Sequence, residues 1–511
     1  MRIMRAMATV GGFTGISRIF GLLRESLMSH VMGASPLTDA FLVAFKFPNF
    51  FRRFFAEGAF NASFVPQFSG QLASAGPESA KLLAERVMAV LGMTLVLFVI
   101  LIVIATPWIM GVIAPGFSQT PERLEMAITF TRITFPYILF ISIAALLSGV
   151  LNSLDRFAAA AAAPIILNII MIGAMIFFSH ADLTAGKALS WAVFLSGVMQ
   201  LGWLYWACWR AGFQLKFRLP RLTPEVRKIM RLMVPGAIGA GVMNINLFLD
   251  MVFASLLASG SISFLHYADR LNQLPLSLFG IAMGTALLPS LSRKIRLGEE
   301  DKARAIQSLA VEVSLQLTIP AALGLVLLSY PIINLLYGLK GEQVTATADA
   351  LAAFATGIPA YVLAKVFATG FFAREDTKTP VKIALVSIAC NLMLNIILMI
   401  PFAHVGLAMA TSIAAWINAG LQLMVLQRRG WFFLTPQVQK TAGKVVVSAA
   451  VMGIGLLLAR DQWLATLPDT FLLQTVSVLG TIICGTIVFG GVGQLTGAFN
   501  LAHLRQAFKR K

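Results

Sequence analysis

Residues 38–66 read TDAFLVAFKFPNFFRRFFAEGAFNASFVP. The stretch is rich enough in Phe, Ala and Val to cross a bilayer, yet it carries Asp39, Lys46, Arg52 and Arg53. A charge at bilayer depth costs about 3 kcal/mol on insertion scales and more by simulation, so such a residue normally faces a wet cavity and has a task there. The same conflict recurs at Arg18 and Arg24 in the first apolar stretch and at Arg270 in the eighth. Arginine binds phosphate and carboxylate through a planar fork of donors. The first expectation is an integral membrane protein with an internal cationic cavity for an anion.

Bulk composition agrees. The chain of 511 residues is 58% hydrophobic and 12% charged, too apolar for a soluble fold of this length. Its net charge of +18 lies mostly at the ends and in some loops, which fits the positive-inside rule and not nucleic-acid binding. Cys208, Cys390 and Cys484 are scattered in apolar segments, and the histidines lack ligand spacing. No disulfide framework, metal cluster or cofactor is expected. Arg2 and Arg5 precede an apolar run as in a signal peptide, but Arg18 interrupts it and no small-x-small cleavage site follows closely, so it reads as a retained first helix.

At the length a bilayer requires, about 20 residues, the chain divides into fourteen spans: 4–31, 37–69, 87–114, 124–152, 159–180, 186–209, 229–258, 263–291, 308–337, 346–372, 380–401, 404–427, 441–460 and 472–498. Basic residues set their orientation. The connection from span 6 to span 7 carries Arg210, Lys216, Arg218, Arg221, Arg227, Lys228 and Arg231, and that from span 8 to span 9 carries Arg293, Lys294, Arg296, Lys302 and Arg304. The opposite side has single basic residues, Arg123, Lys187, Lys340 and Arg460, in four loops. Both termini should therefore be cytoplasmic, and the even number of spans agrees.

The chain also resembles itself at a shift of about 223 residues. FVPQFS at Phe64–Ser69 faces LLPSLS at Leu287–Ser292, Pro136 faces Pro359, and Pro107 faces Pro331 one residue further on. RIMRAM at Arg2–Met7 faces KIMRLM at Lys228–Met233. A repeat unit of six spans keeps its orientation, which is the parallel-repeat plan of some transporters. The expected fold class is therefore all-α integral membrane, with two six-helix lobes, 1–220 and 221–430, and two extra helices with a basic cytoplasmic tail at 431–511. The charges are not repeated: Arg18 faces Asn244 and Arg24 faces Asp250. That is expected if they serve a site and not the scaffold.

Within span 1, Arg18 and Arg24 differ by about 120° around the helix and roughly 9 Å along it. Glu25, adjacent to Arg24, is expected to face elsewhere. In span 2, Pro48 favours a kink. Arg52 has no acidic neighbour one turn away, whereas Arg53 has Glu57 at i+4 as an alternative partner. Asp269 precedes Arg270 but should point away from it. Asp39, at the outer start of span 2, would orient an arginine, form a gate, or cap the helix with Ser35 and Thr38. Asp250, Lys46 and Lys365 are secondary candidates. No nucleotide-binding motif is present, so energy must come from a gradient, the membrane potential or substrate supply.

With GISRIFGLLRE at Gly15–Glu25, the 38–66 string and AREDTKTP at Ala373–Pro380, the chain resembles the MurJ (MviN) family of lipid II flippases, within the multidrug/oligosaccharidyl-lipid/polysaccharide exporter superfamily. The resemblance covers the whole chain. It implies export of lipid II, an undecaprenyl-pyrophosphate-linked disaccharide pentapeptide, from inner to outer leaflet by alternating access. It places Arg18, Arg24, Arg52 and Arg270 in the substrate cavity, with Asp39 nearby and Arg53 as a further candidate. Partners implied are lipid II and membrane lipids, with the chain acting as a monomer near cell-wall synthesis proteins. Some relatives are thought to bind sodium between spans 7 and 11, where this chain offers Asp250. Alternatives are an exporter of another lipid-linked oligosaccharide and a multidrug antiporter, which needs more acids than bases in its cavity. An integral-membrane glycan-assembly enzyme would need a long outer loop, and a passive scaffold would not need buried arginines.

Overall fold

The computed structural model describes residues 2–55, 59–178, 183–462 and 470–498, apart from the side chains of residues 2–8, 53–55, 59, 61, 234–245, 247, 278 and 280–286. Among the described residues the secondary structure is entirely helical. The helices are α1 (Arg2–Met32), α2 (Pro36–Phe55), α3 (Ala59–Ile113), α4 (Pro121–Thr134), α5 (Tyr137–Ser153), α6 (Phe157–Phe177), α7 (Leu183–Arg210) and α8 (Pro224–Ser255). They continue with α9 (Ser261–Arg296), α10 (Glu300–Leu327), α11 (Ser329–Tyr337), α12 (Glu342–Ala355), α13 (Ile358–Phe372), α14 (Lys378–Arg428), α15 (Pro436–Gln462) and α16 (Phe471–Thr496). Nine helical stretches among the described residues are long and apolar enough to cross a membrane. The arginine-bearing helices α1, α2, α8 and α9 are not among those nine.

The chain forms two compact units, Met1–Ser263 and Phe264–Lys511. In the first, α1 lies along α6, α6 along α7, and α7 against α5 and α4. Helix α3 packs on α5 and α8, and α2 on α4 and α8. The unit boundary falls one helix later than the lobe boundary read at 220/221, because α8 packs on α2 and α3. The core of this unit stacks Phe60, Phe64 and Phe68, one turn apart on α3, against Leu146, Leu147 and Val150 of α5 and Phe213. In the second unit, α13 packs on α14 and α10, α15 on α10, and α16 on α15. Its core joins Phe367 and Phe371 of α13 to Phe432. Exposed Val446, Ile454, Ile483 and Ile487 on α15 and α16 suit hydrocarbon.

Two stretches read as single spans are interrupted beside a proline. The stretch read as span 4 is two helices, α4 and α5, parted at Phe135–Pro136, and that read as span 10 is α12 and α13, parted at Thr356–Gly357 just before Pro359. The matched prolines Pro136 and Pro359 thus both sit at mid-span interruptions. The pair Pro107 and Pro331 does not behave alike: Pro107 lies inside the part of α3 that follows its kink at Gly76, whereas Pro331 lies in the first turn of the short α11. Two of the non-glycine residues with positive φ, Asp155 (58°) and Glu375 (63°), occupy the turns after α5 and after α13, 220 positions apart. This left-handed conformation disfavours a Cβ, so its recurrence at corresponding turns is a shared local solution.

A proline inside a helix also strips the donor from the carbonyl four residues earlier. In a bilayer that carbonyl needs another partner. Pro48 orphans the Ala44 carbonyl, and the Thr134 hydroxyl of α4 donates to it at 2.9 Å. Pro107 orphans the Val103 carbonyl, and Arg132 Nε of α4 donates to it at 3.4 Å.

Candidate functional site

The segment that opened the sequence reading is held by aromatic contacts. Phe47 meets Phe135 at 5.1 Å between ring centroids, Phe50 meets Phe248 at 4.8 Å and Phe51 meets Phe98 at 5.1 Å. These contacts bind α2 to the α4–α5 break, α8 and α3. They fix the helix below Arg52, whose side chain is half-buried. The side chain of Arg53 lies outside the described residues.

On α1 the two arginines take different environments, as their angular separation requires: Arg18 is exposed and Arg24 is buried. Arg24 Nη1 donates to Asn168 Oδ1 of α6 at 3.1 Å, and its guanidinium lies 5.6 Å from the centre of the Phe45 ring. Its Nη2 pairs with Glu25. The expectation that Glu25 faces elsewhere is therefore corrected. Adjacent Cβ atoms diverge, but both side chains are long enough to fold back, and either charge left buried without the other would cost about 3–5 kcal/mol. Asn168 also donates to the Ser17 carbonyl at 3.1 Å, so one buried amide joins α6 to two points on α1. Nothing in the sequence marks Asn168 as the partner, because the contact spans 144 positions.

Asp39 is fully buried and accepts four hydrogen bonds. Its Oδ2 accepts from Arg123 Nη2 at 2.6 Å and from the Gly260 N–H at 2.7 Å. Its Oδ1 accepts from the Ser263 N–H at 2.9 Å and the Ser263 hydroxyl at 2.6 Å. Asp39 thus caps the positive N-terminal end of α9 through space, while Arg123 supplies its counter-charge. The local cap of α2 is instead Ser35, whose Oγ accepts the Thr38 N–H at 3.2 Å. Arg123, read from sequence as an isolated loop cation, is buried and stacks 3.9 Å from the Phe117 ring centre.

In the second unit, Arg270 is half-buried on α9. Its neighbour Asp269 accepts from Gln273 Nε2 at 2.5 Å one turn away. On α8, Asn246 Nδ2 donates to Asp250 at 3.4 Å, and on α14, Asn395 Nδ2 donates to Asn391 Oδ1 at 3.2 Å. No group of three or more His, Cys, Asp or Glu side chains suited to a metal is found among the described residues.

The AREDTKTP motif builds a latch at the loop after α13. Arg374 pairs with Glu300 at 2.5 Å, and Arg429 pairs with Asp376 at 2.5 Å. The two guanidiniums lie 5.0 and 4.7 Å from the ring centre of Trp431. Desolvation opposes ionisation of Asp376. The Thr379 hydroxyl and N–H and the Arg429 guanidinium outweigh it and hold the carboxyl down to about 2.

The family model for the lipid II flippase MurJ matches residues 28–477. The chain belongs to the MurJ lipid II flippase family. A relative from Rhizobium tropici, named probable lipid II flippase MurJ, is 40% identical, over 100% of this chain and 97% of its own length. A Burkholderia cenocepacia protein named lipid II flippase MurJ is 34% identical, over 88% of this chain and 89% of its own. A solved structure of lipid II flippase MurJ in an inward closed conformation superposes with a TM-score of 0.76 at 25% identity, covering 94% of this chain and 98% of that one. An inward-facing multidrug resistance transporter of the MOP superfamily, 13% identical with a TM-score of 0.63 over 81% of this chain and 94% of its own, shares the fold. The resemblance carried by the 15–25, 38–66 and 373–380 strings is confirmed.

Proposed function

We infer that this chain flips lipid II from the inner to the outer leaflet of the cytoplasmic membrane by alternating access. The observation that carries the inference is family membership along essentially the whole chain, joined to an arginine set that a pyrophosphate lipid requires and an organic cation would not. Arg18, Arg24, Arg52 and Arg270, with Arg53 as a further candidate, are proposed to contact the anionic headgroup during the cycle. Fork-shaped donors suit a diphosphate and the peptide carboxylates. Arg24 would exchange its Glu25 and Asn168 partners for substrate.

Asp39 is proposed as a gate element. Its bonds to Gly260 and Ser263 are made to the start of α9, so outer-side opening would break them and leave Arg123 as the retained counter-charge. The fourteen-span topology with both termini cytoplasmic, the six-span repeat, and the division at 220/221 and 430/431 belong to the same proposal. The paired interruptions at Pro136 and Pro359 and the paired left-handed turns at Asp155 and Glu375 support the repeat. The polyprenyl tail stays in lipid, with α15 and α16 as candidate neighbours. The chain is proposed to act as a monomer near cell-wall synthesis proteins. An anion leaving a negative cytoplasm gains about 2.3 kcal/mol per charge per 100 mV, so the membrane potential has the sign to assist.

Complementation tests the arginine assignment. Arg52→Ala and Arg270→Ala should each fail to support growth when the native flippase is depleted, with membrane abundance unchanged. Full growth by both variants would remove these residues from the site.

A further inference from the structure

One side of α7 exposes Trp191, Leu195, Met199, Gly202, Trp206 and Trp209, each three or four residues from the next. From first to last they cover about 27 Å of helix rise, close to the hydrocarbon thickness of a bilayer. A stripe of that length, uncharged throughout and ended by tryptophan at both levels, is the pattern of a helix side that faces lipid, with its tryptophans at the two headgroup zones. Trp206, Trp209 and the following Arg210 therefore mark the headgroup level at the end of α7.

The segment that follows is pinned at this level. Phe213 and Leu215 are buried in the core of the first unit, and the Tyr205 hydroxyl donates to the Leu215 carbonyl at 2.8 Å. Glu85 of α3, buried, accepts the Lys216 N–H at 2.9 Å and pairs with Arg218. The Phe217 ring stacks on Tyr205 with centres 6.4 Å apart, and Tyr205 lies one turn from Trp209 on the same side of α7. Yet Phe217 is 79% exposed and Leu219 81%. Cations are interleaved with them: Arg210, 5.5 Å from the Trp206 ring centre, then Lys216, Arg218 and Arg221. Residues 203–223 contain no acid. Among the described residues Glu85, paired with Arg218, is the single carboxylate in an ion pair with these four. Large exposed apolar side chains mark a contact surface. Beside a lipid-facing stripe, at headgroup depth and with uncompensated positive charge, the matching surface is anionic lipid.

We propose that the end of α7 and the pinned segment 216–221 form an interfacial seat for anionic phospholipids of the cytoplasmic leaflet. Phe217 and Leu219 enter the boundary between headgroups and acyl chains, and Arg210 and Lys216 meet the headgroups. The choice of leaflet rests on the topology proposed above, whereas the seat itself does not depend on flipping and is separate from the arginines of α1, α2 and α9.

The test replaces Phe217 by the photo-crosslinking residue benzoylphenylalanine in the full chain, in vesicles of one part phosphatidylglycerol to four of phosphatidylcholine. Lipid adducts are weighed after irradiation. The same residue at Ile454, an exposed position on α15, samples lipid away from the seat and checks that each variant is inserted. At position 217 the adducts should be enriched in phosphatidylglycerol over the bulk ratio, and at 454 they should follow it. Each basic residue near an anionic surface is worth about fivefold, so Arg210→Gln with Lys216→Gln should remove most of the enrichment. Five basic residues remain in this connection, enough to hold its orientation. The charge-keeping pair Arg210→Lys with Lys216→Arg should retain the enrichment. Adducts at 217 in the bulk ratio, or an enrichment unmoved by the glutamine pair, overturn the seat. Lipid adducts at 454 with none at 217 also overturn it, because the segment then lies in water.

Discussion

Asp39→Asn should be far more damaging than its near-identical shape suggests. Asparagine keeps one acceptor oxygen, enough for the Ser263 N–H and hydroxyl on the Oδ1 side. On the other side its amide N–H groups would face Arg123 Nη2 and the Gly260 N–H, which now stand at 2.6 and 2.7 Å from an oxygen. Donors would oppose donors, and Arg123, only 5% exposed, would lose its counter-charge. Removing one partner of a buried ion pair costs about 3–5 kcal/mol. The stack on Phe117 persists, so the lower half of that range is expected. Reversible unfolding in mixed detergent micelles measures the loss. Arg123→Gln alone should cost a similar amount, and the double variant should be little worse than either single one, giving a coupling energy of about 3 kcal/mol. A loss under about 1 kcal/mol for Asp39→Asn, with additive singles, would refute the clamp.

Other expectations follow from the same geometry. Asn168→Leu removes the amide joining α1 to α6 and takes the oxygen partner from Arg24 Nη1, so stability should fall by about 1–3 kcal/mol, read by the same unfolding assay. Gly116→Ala places a Cβ 2.0 Å from the Ser255 carbonyl, a backbone atom that cannot turn aside; expression or melting temperature should drop sharply, while Gly111→Ala, with open space around it, should be neutral. Asp376 is held below its ordinary value of 3.8 at about 2. A lowered carboxyl pKa stabilises the fold above the unfolded value and loses that contribution as pH falls through the folded one. The latch around Trp431 should therefore be intact above about pH 4 and weaken towards pH 2, and Asp376→Asn should remove that acid-sensitive step from the melting profile. Trp431→Ala takes away the half-buried ring beside Arg374 and Arg429 and should lower stability by about 2 kcal/mol.

The helical class was legible because apolar composition over bilayer-length stretches is a local property. The interruptions near Pro136 and Pro359 were not, because prolines such as Pro48, Pro164 and Pro320 sit inside unbroken helices. What escaped depends on distance and side-chain reach. Asp39 and Arg123 are 84 positions apart, and nothing in either neighbourhood signals the other. Glu25 was judged by the direction of its Cβ, but a buried guanidinium next door draws the longer side chain back. The compact units part after α8 and not before it because α8 is held by Phe248 and by α3, contacts a repeat in sequence does not encode.

The central claim is best tested by the sidedness of lipid II after rapid inactivation of this protein in cells, using a toxin that cleaves lipid II only at the outer face. Lipid II flipping by this chain predicts that toxin-accessible lipid II disappears while the inner pool grows, and that Arg52→Ala fails to restore it. Unchanged sidedness after inactivation would contradict the account.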